Sequence, residues 1–431
     1  SDTAGVDGAA TLIGGTHTAT ITLGGTVYKT DDALTFTAAT STSINGASAA
    51  FTTTADALTF TGPVLLGASA GTPTMTTANG ALSFSSTLDG NSSNTQNLTI
   101  STGSGAVTFT GKVGAAQQLG ALLINNSAGT GAITFTEDIG DTAAGGTSGT
   151  STIGNTTTAS IVFSDNYYKF DGATTFVAAT GANLDVNGTN TTFTTSGDAI
   201  SFNTANVTAA DGTLTVNSVG GAITFGGRIL GTSAEKLVLN ANDALATGNG
   251  SDSSTETISV GLIGSGGQIH TVGLTGADGI TLGGNITTVD STGNTAAANA
   301  TFTGPVILGA DVTITTTDND VDGAVSFSST INSTGGVREL DIVADDAAVT
   351  VDGIIGGTGS LKTLDINTAG ASTGAITLAG IGDSDTAGVD GAATLIGGTH
   401  TATITLGGTI YKTDDALTFT AVTSTSINGA S

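Results

Sequence analysis

The chain has 431 residues, of which 66 are glycine, and it has neither cysteine nor tryptophan. Its formal net charge at pH 7 is −27 and only eight residues are basic, which argues against nucleic acid as a partner, because phosphate binding needs clustered lysine and arginine. Disulfides and thiolate metal sites are excluded by the missing cysteines, and no stretch reaches the roughly 18 apolar residues that span a bilayer.

The beginning of the sequence returns at its end. Residues 1–48 recur as residues 384–431, and the two differences are Val27 to Ile410 and Ala39 to Val422. A chain that is slightly longer than its own repeating unit is typical of proteins that build fibres or arrays by repetition. We therefore expect the chain to associate with itself, through continuing repeats, head-to-tail contacts or lateral contacts.

A five-residue motif recurs along the chain, with Gly or Asp followed by Ala, an aliphatic residue, Thr or Ser, and Phe or an aliphatic residue. Its copies are DALTF at 56–60, GALSF at 80–84, GAVTF at 105–109, GAITF at 131–135, DAISF at 198–202, GAITF at 221–225, GAVSF at 323–327, AAVTV at 347–351 and GAITL at 374–378. The first four copies follow one another at nearly equal steps. The alternation of apolar and polar residues within each copy predicts a strand with one buried face.

A second strand pattern lies about halfway between copies of the motif. It reads LTIS from Leu98, LLINN from Leu122, LVLN from Leu237, LDIV from Leu340 and LDIN from Leu364. Two or three short strands per coil of about 25 residues, separated by Gly and Asn turns, predict a β-solenoid. The fold prediction is an all-β parallel β-helix with roughly 17 coils along residues 1–431.

In such a fold, the aromatic residue of each motif stacks on its equivalent in the next coil. We predict a structural ladder formed by the last residues of seven copies, namely Phe60, Phe84, Phe109, Phe135, Phe202, Phe225 and Phe327.

Longer segments are also repeated. YKTDDALTF begins at Tyr28 and Tyr411, YKFDGATTF begins at Tyr168, and FTGPVLLG at Phe60 returns as FTGPVILG at Phe302. These similarities predict one continuous solenoid in segments 1–139, 140–261 and 262–383, with residues 384–431 beginning the next period.

Two points stay open at this level. Phe163 and Phe176 are separated by only half of a coil, which indicates either a second strand that carries an aromatic residue or a corner loop. Between Phe225 and Phe302, the pattern does not place the coils.

The GAxTF and LxIN repeats resemble the passenger regions of filamentous-haemagglutinin-like and autotransporter-type bacterial surface proteins. The resemblance covers nearly the whole chain as a pattern and rests on no diagnostic motif. It implies a right-handed parallel β-helix and an extracellular or cell-surface location, and it identifies no ligand.

The strongest candidate metal site is the sequence DNDVDG. Asp318, Asp320 and Asp322 have the D-x-D-x-D-G spacing that opens many calcium loops, but Ser329 stands where a bidentate Glu is expected. A solvated turn before the next strand is the alternative. Asp383, Asp385 and Asp390 form a weaker version.

Other candidate residues have a structural interpretation. His17 and His400 occupy one repeat position, and His270 has a similar Gly-Gly context, so we expect structural or exposed histidines. The T-x-T spacing at Thr16 and Thr35 can place hydroxyls in flat arrays, as ice binding requires, although unequal coil lengths argue against a regular lattice. No pair of carboxylates stands out as catalytic, so we expect no enzyme activity and no cofactor other than the candidate calcium.

The function that these features predict is mechanical. We expect a structural subunit of an extracellular filament, sheath or surface array, built by end-to-end stacking of solenoid repeats. The alternative is the stalk of a large bacterial adhesin, which would stay dispersed and carry its binding tip elsewhere.

Overall fold

The computed structural model describes residues 6–15, 19–91, 95–141, 145–203, 206–209, 212–242, 256–265, 268–289, 296–317, 321–367, 374–385, 388–397, 402–421 and 423–429. These residues form strands and no helix, and the strands stack in parallel to make a β-solenoid with about 15 turns. The chain divides into two compact units, residues 1–210 with 216–219 and residues 211–215 with 220–431.

The strands are short, and most have only a few residues each. In chain order, the first 23 are β1 (Ala10–Ile13), β2 (Thr20–Leu23), β3 (Val27–Lys29), β4 (Leu34–Thr37), β5 (Ser41–Ile44), β6 (Ala50–Thr52), β7 (Leu58–Phe60), β8 (Val64–Leu66), β9 (Thr74–Thr76), β10 (Leu82–Phe84), β11 (Leu88–Asp89), β12 (Leu98–Ser101), β13 (Val107–Phe109), β14 (Leu122–Ile124), β15 (Ile133–Phe135), β16 (Ser151–Gly154), β17 (Ser160–Phe163), β18 (Tyr167–Lys169), β19 (Thr174–Val177), β20 (Asn183–Val186), β21 (Thr192–Thr194), β22 (Ile200–Asn203) and β23 (Asn206–Ala209).

The remaining strands are also short, except for β26, β28 and β37. They are β24 (Thr213–Asn217), β25 (Ile223–Phe225), β26 (Ile229–Asn240), β27 (Thr257–Val260), β28 (Gln268–Thr275), β29 (Gly279–Leu282), β30 (Ile286–Thr287), β31 (Ala300–Thr303), β32 (Val306–Leu308), β33 (Val312–Thr315), β34 (Val325–Phe327), β35 (Ile331–Ser333), β36 (Glu339–Val343), β37 (Val349–Ile355), β38 (Thr363–Ile366), β39 (Ile376–Ile381), β40 (Ala393–Gly397), β41 (Thr403–Leu406), β42 (Leu417–Ala421) and β43 (Ser424–Ile427).

In the first unit, most coils contain three successive strands, and the strands of successive coils form three parallel sheets. The first sheet contains β1, β4, β7, β10, β13, β15, β17, β20 and β23. The second contains β2, β5, β8 and β11, and farther along β18 and β21. The third contains β3, β6, β9, β12, β14, β16, β19 and β22. Each coil therefore completes the backbone hydrogen bonding of its neighbours, which a single coil cannot do.

The core of the first unit is built from the inward positions of these strands. Phe60, Phe84, Phe109 and Phe135 stack ring on ring in the first sheet, with centroids 4.9 to 5.2 Å apart, and all four are buried. Burial of one such side chain contributes about 1.5–3 kcal/mol.

The other three phenylalanines of the predicted ladder lie elsewhere. Phe202 stacks on Phe176 in the third sheet, with centroids 5.1 Å apart. In the second unit, Phe327 stacks on Phe302 at 4.6 Å, whereas Phe225 lies in β25, which pairs with β27. The seven residues therefore do not form one continuous stack.

The reason is that the long pseudo-repeat is not a whole number of coils. In the first sheet, five coil-to-coil pairings lead from Phe36 to Phe163. After Phe163 the chain forms β18, and it then reaches Phe176 in β19. Equivalent motifs therefore move to a different sheet. The short step between Phe163 and Phe176 thus leads to a second strand and not to a corner loop.

The second unit also has three parallel sheets. One contains β26, β28, β31, β34, β41, β43 and the beginnings of β37 and β39. A second contains β25, β27, β29, β32, β35 and the ends of β37 and β39. The third contains β30, β33, β36, β38, β40 and β42. The segment that the sequence pattern left unplaced, between Phe225 and Phe302, contributes β26 to β30.

The turn count of about 15 is lower than the predicted 17, because several coils are longer than the step between the first GAxTF motifs. Two such coils join Ile124 to its partner Ile153 and Ile381 to its partner Tyr411. In both coils the two residues are parallel partners despite the added length.

The close packing of the chain at the corner before the GAxTF motif explains why the motif begins with glycine. A Cβ atom at Gly105 would collide with the carbonyl oxygen of Gly80, and one at Gly131 would collide with that of Gly105. Just before, the buried Thr102 hydroxyl donates a hydrogen bond to the Gly105 carbonyl oxygen at 2.5 Å, and Thr77 does the same to Gly80. The motif therefore extends upstream as T-x-x-G, a signal that the sequence contained.

Candidate functional site

The candidate calcium loop is only partly visible. Asp318 and Asp320 lie outside the described residues. Asp322 accepts a hydrogen bond from the backbone N–H of Asp346, 3.0 Å from its Oδ2 atom, and so joins one coil to the next. The described residues contain no group of three or more His, Asp or Glu side chains placed to hold a metal ion. Calcium binding at DNDVDG stays a prediction.

The weaker acidic candidate is also part of a turn. The Oδ1 atom of Asp383 accepts a hydrogen bond from the backbone N–H of Asp385 at 2.9 Å, while Asp390 bonds through its own N–H to Leu361. This is the local side-chain-to-backbone geometry of an Asx turn.

Asparagine and aspartate side chains at the corners join successive coils. Asn97 accepts from the N–H of Ala121 at 2.7 Å, and Asn299 accepts from that of Ala324 at 2.8 Å. Sequence reasoning missed this role. Its signal was the recurrence of Asn and Asp at coil corners, where a side-chain oxygen can satisfy a backbone donor of the following coil.

One surface groove of about 330 Å³ in the second unit is lined by carboxylates. Asp311, Glu339, Asp341 and Asp365 face it, and the Nζ atom of Lys362 lies 2.6 Å from Glu339 Oε1. Strand pairing sets Asp341 beside Asp365. Burial, and secondarily the charge of Asp365, raises the pKa of the Asp341 carboxyl, whose Oδ1 atom has no hydrogen-bond partner among the described residues. The groove is thus a place of like-charge repulsion between coils.

The histidine and tyrosine side chains that the structure describes are buried or hydrogen-bonded to backbone groups. His17 and His400 lie outside the described residues, and His270 is buried in β28. The Tyr28 and Tyr411 hydroxyls accept hydrogen bonds from the N–H groups of Gly25 and Gly408, at 2.8 and 2.9 Å. The third tyrosine of this repeat position, Tyr168, accepts in the same way from Asp165.

Hydroxyl groups form two aligned columns on the outer face of the first sheet. Five successive coils contribute a pair each, namely Thr35 with Thr37, Thr59 with Thr61, Ser83 with Ser85, Thr108 with Thr110, and Thr134 with Thr136. The Oγ1 atoms of Thr37 and Thr61 are 3.4 Å apart, as are the side-chain oxygens of Ser83 and Thr59. Unequal coil lengths do not disturb the columns, because the extra residues lie in loops.

The repeated segment provides the most informative surface. Its two copies have the same internal pairing: β1 pairs with β4 as β40 pairs with β42, and β2 pairs with β5 as β41 pairs with β43. The local fold is therefore a property of the repeated segment itself.

The two copies differ in which edge a neighbouring coil covers. In residues 1–48, the following coil covers Phe36 and Ile44, both 0% exposed, while Leu12 on the opposite edge is 37% exposed. In residues 384–431, the preceding coil covers Leu395, the counterpart of Leu12, which is 0% exposed.

The opposite edge of the second copy is open. Ile427, the counterpart of Ile44, is 74% exposed. Phe419, the counterpart of Phe36, is half-buried. The edge that is open in the first copy is covered by strands in the second copy, and the edge that is open in the second copy is covered by strands in the first.

Comparisons with known proteins found no match: no family model, no curated protein and no solved structure corresponds to this chain. Within its described part, the chain has no helix with the length and hydropathy needed to cross a bilayer.

Proposed function

We propose that this chain is a structural component of an extracellular filament, sheath or surface array that grows by end-to-end stacking of β-solenoid repeats. The observation that carries the proposal is the repeated segment, whose two copies have the same fold and opposite covered edges. An edge that presents apolar side chains and unpaired strand backbone is a template for a further coil. Head-to-tail contact that does not close on itself gives a filament.

The test is electron microscopy and light scattering of the purified 431-residue chain at about 0.15 M salt, where charge repulsion between acidic molecules is screened over roughly 8 Å. We expect filaments from the wild-type chain and none from Ile427→Lys, which places a charge on the open edge. The matched control is Ser426→Lys, because residue 426 lies on the same strand and its counterpart Ser43 points away from the core.

Wild-type protein that stays monomeric at all concentrations would contradict the filament proposal. A dispersed rod is what the adhesin-stalk alternative expects. Filaments that form equally well from Ile427→Lys would show that this edge is not the contact.

The hydroxyl columns favour a second candidate function, binding of an ordered water surface such as ice. Neighbouring hydroxyls repeat at about 4.8 Å between coils and at about 6.6 Å along each strand, and no charged side chain interrupts the ten positions. The test compares ice growth with wild-type protein and with Thr108→Lys. Normal ice growth in the presence of the wild-type chain would remove this candidate.

A further inference from the structure

Asparagine followed by glycine occurs five times in the chain, and each such pair is a candidate for spontaneous covalent change. The backbone nitrogen of the glycine can attack the side-chain carbonyl carbon of the asparagine, because glycine has no Cβ atom to hinder the approach. Four of the pairs lie within the described residues, at 45–46, 79–80, 187–188 and 428–429. The fifth, at 249–250, lies outside them.

Two of these glycines are held by backbone hydrogen bonds. The N–H of Gly46 donates to the carbonyl oxygen of Leu23 at 3.0 Å, and the N–H of Gly80 donates to that of Thr77, also at 3.0 Å. An N–H that donates a hydrogen bond is harder to deprotonate, because the bond stabilises its neutral form. Both glycine nitrogens are therefore poor nucleophiles in the folded chain.

The asparagine carboxamide is also held at two of the pairs. The Oδ1 atom of Asn79 accepts hydrogen bonds from the N–H and the hydroxyl of Ser104, both at 3.0 Å. The Oδ1 atom of Asn428 accepts a hydrogen bond from the Ser426 hydroxyl at 2.9 Å. These bonds restrict the rotation that would bring the carboxamide carbon onto the following nitrogen.

The pair at 187–188 has neither restraint. Within the part of the chain that the structure describes, neither the Gly188 N–H nor the Asn187 carboxamide has a hydrogen-bond partner, and the Asn187 side chain is exposed. Glycine is nevertheless required at this corner, because a Cβ atom at position 188 would collide with the carbonyl oxygen of Asp165 in the preceding coil. The fold therefore requires the labile dipeptide at a position where its reacting groups are not held.

We propose that Asn187 is a site of spontaneous deamidation in the folded chain. The deprotonated nitrogen of Gly188 forms a bond to Cγ of Asn187, the C–N bond of the carboxamide breaks, and the departing NH2 group takes up a proton and leaves as ammonia. Water then opens the five-membered succinimide at one of its two carbonyl groups, which leaves aspartate or isoaspartate at position 187. The net change replaces NH2 by OH, with water as the only co-reactant, and it is independent of the filament function.

Both products place a negative charge between two coils. Val186 pairs with Phe163, so position 187 lies in line with Ser164 and one residue from Asp165. Like charges on neighbouring strands repel each other. Isoaspartate also lengthens the backbone by one methylene group, directly before the glycine that packs on the Asp165 carbonyl. We therefore expect the modification to loosen the contact between β17 and β20.

Peptide mapping by mass spectrometry, after incubation of the full chain at mildly alkaline pH, measures deamidation at each pair. In the folded protein we expect Asn187 to react at least about fivefold faster than Asn45 or Asn79, the factor by which one net hydrogen bond lowers the population of an open glycine N–H. In concentrated urea, where these bonds are absent, we expect similar rates at the three sites. The ratio of the folded to the unfolded rate at each site isolates the contribution of the fold.

Two matched variants control the assignment. Asn187→Gln should abolish isoaspartate at position 187, because the longer side chain would have to close a six-membered ring, and it should leave the other sites and the circular dichroism spectrum unchanged. Asn183→Gln alters another exposed asparagine next to β20, one that is followed by leucine, and should leave the reaction at Asn187 unchanged.

Isoaspartate that accumulates faster at position 187 than at Asn45 and Asn79 in the folded protein would support the proposal. Equal folded-state rates at the three sites, or a slower rate at Asn187, would overturn it. Aspartate at position 187 without any isoaspartate would also overturn it, because a succinimide opens at both carbonyl groups. None of these readouts involves assembly, so they stand whether or not the chain forms filaments.

Discussion

Residues 1–48 and residues 384–431 have nearly identical sequences and the same internal strand pairing, but they bury different side chains. Leu12 is partly exposed and its counterpart Leu395 is buried, whereas Phe36 is buried and its counterpart Phe419 is only half-buried. The comparison separates two contributions that are usually mixed. The strands form from local sequence, while the burial of a side chain depends on whether another coil lies on its edge.

The largest effect should appear where both edges of a coil are covered. Phe109→Asp places a charge between Phe84 and Phe135, and a buried unpaired charge costs several kcal/mol. We expect loss of protection across neighbouring coils in hydrogen exchange. Thr108→Asp is the control, because that side chain points outward on the same strand. An equal loss in both variants would mean that the inward position has no special role.

The next effect concerns one position that is buried in the first copy and half-buried in the second. Phe36→Ala should lower the local stability by about 3–5 kcal/mol, since it empties a buried position. Phe419→Ala changes the same residue of the same local fold, and because its ring is half-buried we expect at most about half of that loss. Native-state hydrogen exchange below the onset of assembly measures both. Equal losses would contradict the dependence on a neighbouring coil.

The opposite edge should show the reverse order. Leu395→Ala should cost about 2–5 kcal/mol, and Leu12→Ala clearly less, because only Leu395 is fully buried. Native-state hydrogen exchange of the backbone amides in β40 and β1 measures both losses. If Leu12 were the more sensitive position, the first copy would have to be covered by something other than its own chain.

The smallest effect concerns the two carboxylates that lie side by side on β36 and β38, Asp341 and Asp365. Burial and the neighbouring charge of Asp365 raise the folded-state pKa of Asp341 above its ordinary 3.8. The protonated carboxyl therefore favours the fold below pH 3.8, and this contribution is lost as the pH rises through the folded-state pKa. Asp341→Asn should raise stability at pH 7 by about 0.2–1 kcal/mol and have little effect near pH 3.5.

Thermal melts at the two pH values measure this difference. Asp415→Asn, an exposed aspartate in a loop, is the control and should shift neither melt. A gain for Asp341→Asn that persists unchanged at low pH would show that the charge of Asp341 is not its cause.

Much of the fold could be predicted, because its units are local. The alternation in GAVTF gave the strand that contains Phe109, and the recurrence of the second strand pattern at Leu98 and Leu122 is a strand pairing in the structure. The contacts in the candidate site could not be predicted in this way, and calcium binding at DNDVDG stays a prediction. The corner role of Asn97 and the groove at Asp341 depend on residues a coil away, which the spacing of a single motif does not display.

Apolar alternation and glycine turns act within a few residues, so short parallel strands in a repeating coil can be predicted from the amino-acid sequence. The sheet that each motif joins cannot be predicted from the motif alone, as the separation of Phe202 from the stack at Phe60 illustrates. The sheet depends on the summed length of all preceding loops, and the burial of a side chain depends on the next coil. Both are properties of the stack, so identical residues such as Ile44 and Ile427 have different surroundings.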